Sequence, residues 1–465
     1  MSELNEIRGW LESRLPELLA EHKVPAASIA VYAHGEMIDH AAGVLNKHTG
    51  VEATTDSVFQ IGSITKVWTT TLAMQLVDEG ALDIDAPVRA YLPEFAVGDE
   101  TASAEITVRQ LMCHTSGFEG DVFLDTGRGD DAVHRLVTLL ADVPQLFAPG
   151  EMFSYNNAAF CVLGRIVEVL RDKSYDDCLR DHLCTPLGLT HVAPSPYEAV
   201  RFRAASGHLT PDPDPDAEPQ PAQVWALPRS NAPAGSMLAM RPRDLLTFAR
   251  MHLDGGRGPD GTAVLTPESA LAMRRREVEL PDLGLMGDAW GLGWSLFDWP
   301  GGRVVGHDGG TLGQSAFLRV APEHDIAVAL LTNGGNPLPL YVELVGRVLR
   351  ELAGTQMPAL PVPDADAPRV ETARFVGTYA SSVGDTVVSE DADGRLWVER
   401  TPKGVFAELD GGPPERIELV AYDGDKLIPV KPQRGMHMVQ AFVGDDGTGR
   451  ARFLHTGRAD RRVSR

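Results

Sequence analysis

Ser63-Ile64-Thr65-Lys66 falls where a short apolar run (Val58, Phe59, Ile61) meets a helical pattern (Val67, Trp68, Leu72, Leu76, Val77). A chain with this junction must feed a strand-like segment directly into a helix, with a serine at the seam. Residues three apart on a helix share a face, so Lys66 rises beside the Ser63 hydroxyl. A serine is a weak nucleophile until a neighbour takes its proton. A lysine can do so only when desolvation or a nearby cation favours its neutral form. Backbone N–H groups at a helix start would face the charge that develops on a substrate. Ser-x-x-Lys alone, however, is expected by chance about once in a chain of this length.

Two later segments bear on that chance. Tyr155-Asn156-Asn157 follows the loop Pro149-Gly150-Glu151-Met152-Phe153-Ser154 and opens a helical stretch (Phe160, Val162, Leu163, Ile166, Val167, Leu170). It can be a plain helix start, because Asn caps well, or a phenol and an amide aimed at the serine. Gly306-His307-Asp308-Gly309-Gly310 lies between Arg303-Val304-Val305 and Ala316-Phe317-Leu318-Arg319-Val320. It reads as a glycine-rich hairpin, or as an edge strand whose backbone approaches a ligand closely.

Taken in order, Ser63/Lys66, Tyr155/Asn157 and His307/Gly309 resemble the serine β-lactamase and penicillin-binding-protein family, nearest its class C-like branch. That family carries Ser-x-x-Lys, Tyr-x-Asn and Lys-Thr-Gly or His-x-Gly in this order. Val108-Arg109-Gln110-Leu111 before His114-Thr115-Ser116-Gly117, and Trp290-Gly291-Leu292-Gly293-Trp294, are similar to it as well. The resemblance covers roughly residues 10 to 350. It implies an α/β (α+β) catalytic domain with an antiparallel sheet and a helical subdomain. It also implies roles. Ser63 attacks an acyl carbonyl, Lys66 and Tyr155 move the proton, and Asn157 holds the lysine or a substrate amide. The N–H groups of Ser63 and Gly310 form the oxyanion hole, with Gly309 against the substrate. His307 replaces the more common lysine, and because imidazole titrates near neutrality, the site loses a permanent positive charge.

The remainder of the chain organises around this reading. Ala27–Tyr32 and Met37–Ala42 form a hairpin turned at His34-Gly35, and three later apolar runs (294–297, 317–320, 326–331) form a meander. A last helix spans about Leu340 to Leu352. Residues 1–354 are therefore expected as the catalytic domain, and proline-rich 355–369 as a linker. Residues 370–465 alternate short runs with Asp-Gly turn signals at 393, 423 and 446, which predicts a small up-and-down barrel. Some members of the family carry a lipocalin-like barrel there. Pro211 to Pro221 reads as a surface loop. Six arginines crowd the last sixteen residues: Arg450, Arg452, Arg458, Arg461, Arg462 and Arg465. They form either a solvated face or a site for an anionic group.

A net charge of −23 argues against nucleic acid and anionic membranes as partners. The acidic start Met1-Ser2-Glu3-Leu4-Asn5-Glu6 has neither the basic region nor the apolar core of a leader. Cys113, Cys161, Cys178 and Cys184 form no Cys-x-x-Cys pair and read as reduced, so a cytoplasmic protein is expected. No metal or other cofactor is expected: His-Glu-x-x-His is absent, and so is the Gly-x-Ser-x-Gly elbow. The expected substrate is a small-molecule or peptidyl ester or thioester, the latter presented by a carrier protein. The chain has features of stand-alone penicillin-binding-protein-type thioesterases, which cyclise nonribosomal peptides. These include a His-x-Gly motif, an appended barrel and a Gly-Arg segment near the end (Gly457-Arg458). Gly235, in Ala232-Pro233-Ala234-Gly235-Ser236, would leave room beside Ser63, and Arg458 would hold a substrate carboxylate or carbonyl. An esterase or a D-amino-acid amidase or peptidase is the alternative.

Overall fold

A computed structural model of the chain describes residues 3–210, 217–403, 407, 414–433 and 435–464. Residues 211–216 of the proline-rich loop and Arg465 lie outside the described residues. The scaffold is a nine-stranded sheet ordered, by residue range, 51–52, 36–46, 26–33, 326–332, 315–321, 302–310, 295–299, 289–290, 278–279. The strand Ala26–Ala33 pairs antiparallel with Ile326–Thr332, Ala30 facing Ala329. Both are buried along their whole length because helices cover both faces, so they read as continuous apolar runs without alternation. The hairpin turns at His34-Gly35 as expected, both residues having positive φ (50° and 88°), the requirement of a tight primed turn.

One face packs on the helix Glu3–Glu21 through Ile7, Leu11, Leu15 and Leu18, and on the last helical stretch through Leu344, Val348 and Leu349. That stretch runs from Leu338 to Ala353 with one wide turn at Tyr341–Val345. The other face meets a helical block built on Thr65–Asp78, Asn157–Arg171 and Pro242–Leu253. Trp68 stacks on Phe248 at 4.0 Å between two of these helices.

From Gly377 to Ser464, eight strands follow in chain order and close into a barrel. The first, Gly377–Ala380, pairs with both the second and the last. Tyr379, Leu396, Leu427, Phe442 and Leu454 fill it. The up-and-down expectation holds because each Asp-Gly pair turns one strand back on its neighbour. The barrel docks on the body through Phe453 and Ala459 against Phe147, and through Ile428 and Val439 against Leu283.

The edge-strand expectation for Gly306–Gly310 holds from His307 onward. Gly302–Gly310 is an interior strand as far as Gly306, which pairs with Ser295 on one side and Arg319 on the other. Only His307–Gly310 is flanked on one side, and that open side faces Ser63. The four cysteines are free and buried. Among the described residues no helix is long and apolar enough to cross a membrane.

Candidate active site

The strand Phe59–Gln60 enters a single tight turn, Gly62–Ile64, and then the helix Thr65–Asp78. Gly62 adopts positive φ (52°), and Thr65 Oγ1 donates to its carbonyl at 2.7 Å, fixing the turn. Ser63 is left at the surface of the cleft, with Lys66 fully buried one turn on. Lys66 Nζ lies 3.0 Å from Ser63 Oγ, 2.7 Å from Asn157 Oδ1 and 2.7 Å from the Ala234 carbonyl. Its pKa is lowered from 10.5 to about 7, chiefly by burial and in part by the Arg458 charge, while Cys161 and Asp121 oppose. A neutral amine has two N–H bonds and one lone pair. The Asn157 amide oxygen and the Ala234 carbonyl can only accept, so they take the two N–H bonds. The lone pair then faces the Ser63 hydroxyl, the only one of the three partners with a proton to give.

Asn156 accepts from the Ala159 N–H at 2.7 Å and caps the helix that Asn157 begins, so the capping reading and the functional one are both satisfied, by adjacent residues. The Tyr155 phenol is hydrogen-bonded with Ser63; burial raises its pKa, which keeps it protonated. Its ring stacks on His114 at 4.3 Å, and Lys66 Nζ is 4.8 Å from its centroid. His114 Nδ1 accepts from the Asn156 N–H at 2.9 Å, so the imidazole is neutral with its proton on Nε2. Burial, the largest cause, holds its pKa well below the usual value.

His307 Nδ1 lies 2.6 Å from the Asp308 carbonyl, which can only accept, so Nδ1 carries the proton. Nε2 is bare and buried without a hydrogen-bond partner among the described residues. The ring packs beside Tyr155 and Trp290, whose ring centroids are 6.2 and 5.3 Å from its own. Burial, then the nearby Lys66 charge, lower its pKa to about 3. The expectation of an imidazole titrating near neutrality is therefore corrected: His307 is neutral throughout the physiological range.

Gly309 and Gly310 press on the nucleophile turn. A methyl group on Gly309 would sit 1.9 Å from the Ile61 carbonyl oxygen and 3.0 Å from the Ser63 nitrogen; one on Gly62 would sit 2.6 Å from the Gly310 nitrogen. The amides of Ser63 and Gly310 thus lie on facing, closely apposed backbones. Gly235 (φ +109°) is also beside Ser63, but the room expected there is filled. A methyl on it would meet the Gly62 carbonyl oxygen at 2.1 Å and the Ser63 nitrogen at 2.9 Å. Its missing side chain serves the backbone contact that holds the serine turn.

Arg458 comes from the other end of the chain, in the turn between the barrel strands Phe453–His455 and Ala459–Ser464. Its guanidinium lies 5.0 Å from the Tyr155 ring centroid and pairs with the buried Asp121 carboxylate, Nη2 to Oδ1 at 3.2 Å and Nε to Oδ2. The same Oδ1 accepts from Asn157 Nδ2 at 2.7 Å. The side chain of Arg458 stays 41% exposed, so part of it is open to solvent. Of the other crowded arginines, Arg462 is structural: it donates to the carbonyls of Ala451, Val376 and Arg374, closing the barrel.

Ser63, Lys66, Tyr155, Asn157, Gly235, His307, Gly309, Gly310 and Arg458 thus converge on one cleft. Sequence reasoning missed Asp121 and the Ala234 carbonyl. Asp121 follows His114-Thr115-Ser116-Gly117 closely, but no periodicity or spacing marks it. A main-chain acceptor has no signature at all.

A nine-stranded antiparallel sheet, a helical block and a cleft between them are the architecture of β-lactamase-fold serine hydrolases. A family profile described as Beta-lactamase matches residues 11–353, and the chain belongs to the β-lactamase family. Penicillin-binding protein 4 of Amycolatopsis lactamdurans is 46% identical over 377 residues, 81% of this chain and 98% of that protein. The crystal structure of SurE is similar over 99% of this chain and 100% of its own, at 29% identity and a TM-score of 0.78; its structure with D-Leu gives 28% and 0.75. The octameric penicillin-binding protein homologue from Pyrococcus abyssi shares the fold, with a TM-score of 0.65 and 23% identity over 94% of this chain and 96% of its own.

Proposed function

We propose that this chain is a serine acyltransferase that releases a peptidyl thioester, presented by a carrier protein, by joining the acyl group to the peptide's own amine. The observation that carries the reading is the arrangement around Lys66: a buried amine whose lone pair faces Ser63, under an arginine delivered by the appended barrel.

In the first half-reaction Ser63 Oγ attacks the thioester carbonyl, and Lys66 Nζ takes the hydroxyl proton. The oxyanion lies between the N–H groups of Ser63 and Gly310, with Gly309 leaving the approach open. The C–S bond breaks, and the proton passes through the Tyr155 phenol to the departing thiolate. In the second half, the amine attacks the acyl-enzyme and its proton goes to Lys66. The Ser63 C–O bond breaks, and Oγ recovers a proton as the amide forms. Asn157 holds Lys66 throughout. A neutral His307 adds no fixed charge for a β-lactam carboxylate, which supports peptidyl donors over β-lactams. Arg458 would hold a carboxylate or carbonyl of the donor. The bound D-Leu of SurE supports a D-configured residue at the carboxyl end.

The test is incubation with a peptidyl thioester ending in a D-residue. The expected product is a macrolactam, with a single fluorophosphonate adduct on Ser63 and no turnover by Ser63→Ala. Hydrolysed acid alone, with fast turnover of short nitrophenyl esters, would give the function to an esterase. Fast cleavage of D-amino-acid amides would give it to an amidase.

A further inference from the structure

Which end of the Asn157 amide faces Lys66 decides where the lysine lone pair points. With Oδ1 towards Nζ, the lysine gives that bond an N–H and keeps its lone pair for Ser63; with Nδ2 there, the amide would demand the lone pair itself. A carboxylate accepts only, so Asp121 Oδ1, 2.7 Å from Asn157 Nδ2, settles the amide's orientation. The same carboxylate pairs with the Nε and Nη2 edge of Arg458 and leaves part of that side chain open to solvent.

We propose that Asp121 is a positioning residue for acyl transfer: one buried carboxylate that turns Asn157, and through it Lys66, towards Ser63, while setting Arg458 against the acyl donor. A substrate anion seated on Arg458 would therefore be felt at the lysine through a single side chain. The proposal rests on the reading of Ser63 as nucleophile and Lys66 as its base. The charged and titratable groups facing Lys66 are Tyr155, Cys161, His114, His307, Arg458 and Asp121. Within this set Asp121 is the carboxylate, and removing its charge favours the neutral amine; removing the Arg458 charge does the opposite.

The experiment follows the rate of Ser63 labelling by an uncharged fluorophosphonate against pH, with intact mass as readout, in wild type, Asp121→Asn, Asp121→Glu and Arg458→Gln. Wild-type labelling should rise through about pH 7. Asp121→Asn should move that limb to lower pH and reduce the plateau by up to about a hundredfold, the scale of a small misplacement. Arg458→Gln should move the limb to higher pH, and Asp121→Glu should restore part of the plateau. With a peptidyl thioester, Asp121→Asn should also raise KM. A wild-type limb near 7 that neither substitution displaces would overturn the proposal and leave Lys66 as base. A uniform loss of rate at every pH, tracking a lower Tm, would also overturn it, reducing Asp121 to a structural role. A wild type never labelled at Ser63 would bring down the acyl-transfer reading itself. If Asp121→Asn does not fold, the sign of the Arg458→Gln shift decides.

Discussion

Tyr155 donates its backbone N–H to the carbonyl of Gly457 at 3.0 Å, a bond that joins the barrel to the middle of the candidate catalytic wall. Its neighbours are tied the same way. Ser154 Oγ accepts from the Ala459 N–H at 3.1 Å, and His455 Nε2 donates to the Phe153 carbonyl at 2.8 Å. The Gly457 N–H in turn donates to His455 Nδ1 at 3.1 Å, which fixes that imidazole's neutral tautomer. Three consecutive residues of the wall thus take their positions from the barrel. The barrel is part of the cleft as well as an appendage to it.

Gly457→Val should therefore damage both stability and chemistry. Gly457 sits at φ +96°, where a β-branched residue is strained by roughly 1–2 kcal/mol, and a side chain there would drive into Met286. The expected result is a lower Tm together with slower Ser63 labelling, because Tyr155 and Arg458 flank this residue's bonds. Unchanged labelling at a lowered Tm would show that the cleft tolerates movement of the barrel turn.

The stability contributed at Lys66 depends on pH with a definite sign. Its folded pKa, about 7, lies below the unfolded value of 10.5. The fold favours the neutral amine, so the contribution is complete above pH 10.5 and drains away as pH falls to about 7. Methionine has the length but no charge. Relative to wild type, Lys66→Met should gain Tm as pH drops from about 10 to about 6, while losing essentially all Ser63 labelling. A Tm difference that stays constant over this range would show that Lys66 is not depressed by burial.

Much of this was legible in the sequence, and what was hidden has physical reasons. Ser63 and Lys66 are the two ends of one four-residue junction, so their spacing alone brought them together. The barrel was legible because each Asp-Gly pair is a local turn signal. The direction of the Lys66 lone pair was not, because it depends on Asn157, Ala234 and Asp121, which come from three separate segments. His307 shows the same limit: its residue type suggests a group titrating near neutrality, and burial in the fold, helped by the Lys66 charge, makes it neutral. The small size of Gly235 suggests open space, but the Gly62 carbonyl that fills it comes from a distant segment of the chain.

Gly235→Ala separates those two views of the glycine. If its role is to admit the Gly62 peptide, the added methyl must displace the serine turn, since it would stand 2.1 Å from a backbone oxygen. Labelling of Ser63 by a small fluorophosphonate should then fall by up to about a hundredfold, for small and large substrates alike. Normal labelling combined with an altered ratio of macrolactam to acid would return Gly235 to the substrate pocket.

The seam between barrel and body should loosen as pH rises. Burial pushes Asp460 up to about 6, with the Glu119 carboxylate adding to the rise, and burial raises Glu119 as well; Arg400 and Arg458 pull the other way on Asp460. Ser382 of the barrel donates its N–H to Glu119 Oε2 at 3.0 Å, so both acids belong to the docked surface. For an acid whose folded pKa exceeds its unfolded one, the stabilising contribution is complete below the unfolded pKa, 3.8 for Asp460. It is lost as pH rises through the folded value. Asp460→Asn keeps the shape and stays neutral. Its Tm should exceed that of wild type above about pH 6, and the advantage should vanish towards about pH 4. Differential scanning calorimetry of the two proteins across that range is the check, and a Tm difference that does not change with pH would show that Asp460 is solvated and plays no part in the seam's pH dependence.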